Sequence, residues 1–174
     1  MMKISDGFYF RRAEMKDADT IWKIMQEAIV RRKEEGSDQW QDGYPNPEII
    51  RQDIENGYGF IASDGRHVFG YLSLSFDGEP AYDVEGVNWQ TDPPYGVVHR
   101  LAIGEKYAGK GWGSRMMMAV EKVCIDHQIR SIRIDTNFDN HSMLRVLEKL
   151  GYDYRGDVMV SGSSRRAYEK RLRI

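Results

Sequence analysis

Cysteine occurs once in this chain of 174 residues, histidine four times and proline five times. A single cysteine, Cys124, closes no internal disulfide, so the fold has to be held by its core. Its place on the apolar stripe of a helix reads as a reduced core thiol and suits a cytoplasmic setting. Neither sign of charge is in excess: 25 Lys and Arg against 27 Asp and Glu leave a net charge of −2. That balance offers no global attraction to nucleic acid or an anionic membrane, and neither is expected as a partner. No apolar run approaches the roughly 20 residues needed to span a bilayer, and the N-terminus lacks the apolar core of a signal peptide. Repeats, low-complexity tracts and Pro/Gly/Ser linkers are missing too. Residues 1–174 are therefore expected to form one domain, large enough to bury a core without staples. No metal ligands are assigned.

What is present alternates between the two secondary-structure periods. Phe8 to Arg12 reads as a first strand, and Thr20 to Glu35 as a helix in which Ile21, Trp22, Ile24, Met25, Ala28 and Ile29 recur at helical spacing, with Asp17 or Asp19 as a candidate cap. Pro47 to Glu55 reads as a shorter helix with proline in its first turn. Gly59 to Ser63 and His67 to Phe76 form a hairpin across Asp64-Gly65-Arg66. A helix after Trp112, a strand from Ser131 to Thr136, a helix capped by Asn140 and ended by Gly151, and two last strands complete the order βααβββαβαββ. Such alternation implies a mixed α/β sheet flanked by helices.

The most informative stretch runs from Gly96 to Ser114. An apolar, β-branched strand passes through a short polar turn into Gly109-Lys-Gly-Trp-Gly113 and then a helix. Glycine at 109, 111 and 113 permits positive φ and close approach of a ligand to the main chain. Free amides at a helix start, with the macrodipole behind them, suit a phosphate-bearing ligand. A Walker A loop would need Ser or Thr after Lys110, where Gly111 stands. A dinucleotide fingerprint would need Gly-x-Gly-x-x-Gly, and the third glycine comes one residue early.

The stretch resembles motif A of the GCN5-related N-acetyltransferases, Gln/Arg-x-x-Gly-x-Gly/Ala, laid over Ala108-Gly109-Lys110-Gly111-Trp112-Gly113. A second segment, Asn140-His-Ser-Met-Leu-Arg-Val-Leu-Glu-Lys-Leu-Gly-Tyr152, resembles the later signature of the same family. The resemblance implies a mostly antiparallel central sheet with one splayed pair of strands, and transfer of an acetyl group from acetyl-CoA (coenzyme A) to an amine. It further implies cofactor contacts at Leu101, Ala102 and Ile103 along the strand, at Ala108 to Ser114 around the pyrophosphate (Lys110 and Ser114 included), and at Asn140 on the pantetheine arm. Ala108 replaces the Gln or Arg of the motif, which removes one side-chain phosphate contact.

By the same resemblance the backbone N–H of Ala102 would serve the oxyanion, and His99 stands where arylalkylamine-type members carry a histidine. An imidazole changes charge in the neutral range, which suits a general base. His99 could equally be a core histidine bonded to a buried carboxyl such as Asp135, and His141 is a second candidate. The family's tyrosine acid falls on Leu147, so the acid is left to water or to another hydroxyl, Tyr152 or Tyr154. Acceptor contacts are sought at Trp40 and Tyr44 in the loop from Ser37 to Asn46, and at Tyr82 and Trp89 in the acidic stretch from Asp77 to Tyr95. The same aromatics could instead plug the core. The acceptor is expected to be a small-molecule amine or a peptide, and the last strands could serve a homodimer. Two other readings stay open: a coenzyme A-binding module without catalysis, and a nucleotide-dependent phosphoryl-transfer domain.

Overall fold

The computed structural model describes residues 2–5 and 7–174, and the chain divides into two compact units, Met1–Leu74 with Arg100–Ala119 and Ser75–His99 with Val120–Ile174. In the first unit, β1 (Met2–Ser5), β2 (Phe8–Arg12), β3 (Gly59–Ser63) and β4 (Val68–Ser75) pair as antiparallel neighbours. Two helices follow β2: α1 (Ala18–Glu34) and α2 (Pro47–Glu55). Ile21, Ile24, Met25 and Ala28 of α1 are buried at helical spacing and pack with Ile50, Ile61, Tyr71 and Ala102. Asn46 caps α2 by accepting from the Ile49 N–H at 3.0 Å, and Pro47 occupies the first turn where no N–H is needed.

Two expectations are corrected in this unit. Strand β1 was not foreseen, because four residues are too few to establish a period. Asp17 precedes α1 but its side chain makes no cap bond to it; it accepts from Arg11 at 2.8 and 3.0 Å and from the Glu14 N–H at 2.8 Å. An ion pair with two guanidinium hydrogens outcompetes a cap.

The second unit holds the first half of β5 (Gly96–Ile103), together with β6 (Ser131–Thr136), β7 (Asp153–Val160) and β8 (Ser163–Arg171). β5 and β6 are parallel, whereas β8 is antiparallel to both β6 and β7. Helix α3 (Trp112–Asp126) begins in the first unit and ends in the second, and α4 (His141–Lys149) lies in the second. The strand order β1-β2-β3-β4-β5-β6-β8-β7 makes a mixed, mostly antiparallel sheet with four α-helices, as the resemblance implied.

A buried carboxylate organises the second unit. Glu169 of β8 is 1% exposed and accepts from the Gln90 N–H at 2.8 Å, the Thr91 hydroxyl at 2.5 Å and Arg155 Nε at 3.2 Å, with Arg133 Nε at 3.5 Å. Arg133 in turn donates to the Thr91 carbonyl and lies over the rings of Tyr95 and Trp89 at 3.8 and 4.4 Å. Charge buried this deeply is held by close partners of opposite sign and by hydrogen bonds, although Arg133 Nε itself makes no hydrogen bond among the described residues. The network thereby ties the stretch around residues 88–92 to β6 and β8.

Cys124 is fully buried, and that burial, with Glu121 nearby, pushes its thiol up to about 12. The thiolate is the reactive form. A disulfide reagent at pH 8 should therefore leave the folded protein unlabelled and titrate one thiol after denaturation; rapid labelling of the native chain would contradict this packing.

Candidate active site

In the first unit the turn between β5 and α3 is pinned at both ends and open in the middle. The Ile103 carbonyl accepts from Arg31 Nη2 at 2.7 Å, the Gly104 N–H donates to the Phe69 carbonyl at 2.7 Å, and the Glu105 N–H donates to the Glu27 carboxylate at 2.8 Å. Tyr107 stacks on Phe69 at 4.4 Å and donates its hydroxyl to Asp64 at 2.9 Å. Backbone N–H groups of His67 and Arg66, then that phenol, hold the Asp64 carboxyl far below the usual carboxylate range. On the far side, the ring of Trp112 lies 4.6 Å from Phe69 and 5.5 Å from Phe8. Its indole is thus engaged in packing.

Between these anchors Gly109, Lys110 and Gly111 are exposed, and both glycines are left-handed, with φ of 72° and 82°. A Cβ at either would meet nothing within 4 Å, so conformation and not crowding demands glycine here. Gly113 departs from expectation: it lies inside α3 and is not left-handed. The first bond leading into α3 runs from the Arg115 N–H to the Gly111 carbonyl at 3.3 Å. The amides of Trp112, Gly113 and Ser114 therefore precede the i to i−4 ladder, and an anion is their natural partner. Lys110 Nζ turns back to the Lys106 carbonyl at 2.9 Å. Ala108 is half-buried and Ser114 buried.

Upstream in β5, Leu101 is half-buried and Ala102 and Ile103 are buried. The parallel register with β6 runs from Gly96↔Ile132 to Val98↔Ile134, and β5 continues five residues beyond it. Arg100 has φ of 56° and lays Nε and Nη2 on the Asp53 carboxylate at 2.8 and 2.5 Å, while Nη1 reaches the Tyr44 hydroxyl. The Tyr71 hydroxyl donates to the same carboxylate. Tyr44 is 38% exposed, whereas Trp40 is half-buried against the α1 and α2 core.

In the second unit His99 Nε2 lies 3.0 Å from Glu79 Oε2, with both side chains about a quarter exposed. Glu79 is thus the partner, and not Asp135, which accepts from the Tyr82 hydroxyl at 2.6 Å. A carboxylate only accepts, so Nε2 carries the hydrogen of this contact. Tyr82 is 1% exposed within a cluster of Tyr95, Val97, Val158 and Ala167, and Trp89 donates its Nε1–H to the Tyr82 carbonyl at 3.0 Å. Asn140 caps α4 by accepting from the Met143 N–H at 3.2 Å. His141 is exposed. Tyr152 is buried, and its hydroxyl has no partner among the described residues; burial first, then Glu121 and Cys124, keep that phenol protonated well above its usual range. Tyr154 donates to Asp157 at 2.9 Å, and Leu147 is fully buried.

The acetyltransferase (GNAT) family model matches residues 22–152, a span holding the glycine turn, β5 and the Asn140 helix. The chain belongs to the GNAT acetyltransferase family. It is similar to the uncharacterized N-acetyltransferase YesJ of Bacillus subtilis (strain 168), at 26% identity over 156 residues, which cover 88% of this chain and 86% of that one. A solved GNAT-family acetyltransferase from Streptococcus agalactiae 2603 is 32% identical, with a TM-score of 0.88 over 97% of both chains. Another, from Listeria monocytogenes 4b F2365, shares the fold, with a TM-score of 0.76 at 22% identity over 98% of this chain and 100% of that one.

Sequence reasoning passed over Asp53 and Arg100 in this GNAT chain, and it placed Glu79 only among the acidic residues of its stretch. Asp53 did leave a signal: it sits three residues after Ile50 on the buried stripe of α2, where an acid is out of place. Glu79 left none beyond membership of an acidic run.

The contrast between Gly111 and Gly113 is measurable in urea. Gly111→Ala is expected to cost about 1–2 kcal/mol by forcing a Cβ into the left-handed region. Gly113→Ala is expected to stabilise α3 by about 0.5–1 kcal/mol. Equal midpoints for the two variants would contradict the turn described.

Proposed function

We propose that this protein transfers an acetyl group from acetyl-CoA to the amine of a small molecule or peptide, as one catalytic domain. The carrying observation is the exposed turn at Gly109–Gly111, left-handed at both glycines and opening onto the first amides of α3. A diphosphate fits it: the ligand is anionic, the amides are donors, and open space surrounds the Cα atoms. Ala108 to Ser114 would hold that group through their main chain, with Leu101, Ala102 and Ile103 and the Asn140 amide along the pantetheine arm. Acetyl-CoA, when bound, supplies a thioester whose carbonyl carbon is attacked by the amine lone pair as the C–S bond breaks.

The residues of the chain supply the rest. His99 Nδ1 accepts the proton that the amine must lose, while Glu79 fixes the tautomer and steadies the imidazolium formed. The Ala102 N–H is assigned to the developing oxyanion. Because Leu147 is apolar and Tyr152 is buried beside Glu121 and Cys124, water is assigned to protonate the thiolate. Tyr44 and Trp40 are assigned to the acceptor wall. Tyr82 and Trp89, which expectation also placed there, would back Glu79 from the core.

A second reading, a coenzyme A-binding module without turnover, draws support from the buried Leu147 where resembling enzymes carry tyrosine. Thiol release over a panel of amines separates the two. The enzyme reading expects turnover, a kcat loss of roughly 100-fold in His99→Ala and roughly tenfold in Glu79→Gln, and no further loss when the two are combined. Tight acetyl-CoA binding with no turnover on any amine would favour the module. Full kcat in a folded His99→Ala would return His99 to the scaffold.

A further inference from the structure

Among the described residues four that are not glycine have left-handed φ: Trp40, Arg100, Gln128 and Ser161. Three of these lie in turns, whereas Arg100 lies inside a strand. A left-handed residue with a long side chain is strained, and strain persists only where surrounding contacts over-determine it. Here they do. The Arg100 guanidinium meets the Asp53 carboxylate through two hydrogen bonds, with 9% and 4% of the two side chains exposed. Tyr71, fully buried, adds its hydroxyl to the same carboxylate, and Tyr44 accepts from the remaining arm of the guanidinium.

Stability alone is a poor reason for this arrangement. Apolar side chains of similar volume often serve a buried site as well as an ion pair does, and what a two-bonded pair adds is a fixed direction. What the pair specifies is local to β5. Side chains of an ordinary strand alternate between faces. Here that path is interrupted at Arg100, two residues after Val98, where the register with β6 ends. The left-handed turn resets the direction of every N–H that follows, those of Leu101 and Ala102 first.

We propose that Asp53 is a positioning residue for acetyl transfer: through Arg100 it holds the left-handed break in β5 and so aims the Leu101 and Ala102 amides. The inference rests on the acyl-transfer reading above. Arg100 has a matching role as the strand residue that the carboxylate grips, and neither side chain is assigned contact with the reacting atoms.

Three variants of the full chain test it, by steady-state kinetics and by amide hydrogen exchange without ligand. Asp53→Asn keeps the volume and removes the charge. It should lower kcat roughly 10- to 100-fold while the KM for acetyl-CoA moves less than about threefold. It should also speed exchange of the Leu101–Ile103 amides roughly tenfold, with α1 unaffected. Because Asp53→Asn leaves a buried cation and could unfold the chain, Arg100→Gly and Arg100→Ala form the second arm. Glycine adopts the left-handed turn without the clamp and alanine resists it, so Arg100→Gly should retain at least about fivefold more kcat than Arg100→Ala. The proposal is overturned by equal kcat in those two variants, or by Asp53→Asn with unchanged kcat and unchanged local exchange. Exchange that rises throughout the unit would make the pair merely structural and overturn it likewise. If the wild-type chain acetylates no amine, the acyl-transfer reading falls, and the exchange pattern alone still decides whether Asp53 holds the break.

Discussion

An α-helix cannot satisfy its own first amides, and at the start of α3 the ladder begins with the Arg115 N–H on the Gly111 carbonyl, which leaves the Trp112, Gly113 and Ser114 amides ahead of it. Tyr107 and Trp112 both pack on Phe69, so the turn between them is clamped at its feet. Gly109 and Gly111 then take up an exposed, left-handed path. Because β5 runs straight into this turn, one continuous piece of chain carries the proposed base, the proposed oxyanion donor and the anion cradle in order.

Buried charge is used twice to hold irregular backbone in place. In the first unit Asp53 and Arg100 fix a break inside a strand. In the second, Glu169 gathers Arg133, Arg155, Thr91 and the Gln90 amide, and so anchors a stretch with little regular structure of its own. Glu79, earlier in that stretch, meets His99. Hydrophobic packing builds the cores, but it is not directional. Ion pairs with two or more hydrogen bonds are, and they appear where a particular backbone direction matters.

This division explains what could be read in the sequence. Helices α1 and α2 were legible because the apolar residues of the first recur at helical spacing and Pro47 marks the first turn of the second. The glycine turn was legible because its residues are contiguous. Strand β1 was too short to show a period, and Asp17, one of two caps expected for α1, makes no cap bond because Arg11 claims its carboxylate. The pairs Asp53–Arg100 and Glu79–His99 join residues 47 and 20 positions apart, so no window of sequence contains their geometry. Tyr82 illustrates the same limit: its aromatic ring suggested a ligand contact, whereas its place is a core cluster with its hydroxyl on Asp135.

The main-chain cradle is tested most directly by following backbone amide resonances of the wild-type protein as coenzyme A is added. Saturable shifts centred on Gly109 to Ser114, lost when coenzyme A is replaced by its pantetheine portion without the diphosphate, are the predicted result. Amides in that turn that stay in place while coenzyme A binds elsewhere, or does not bind, would contradict it.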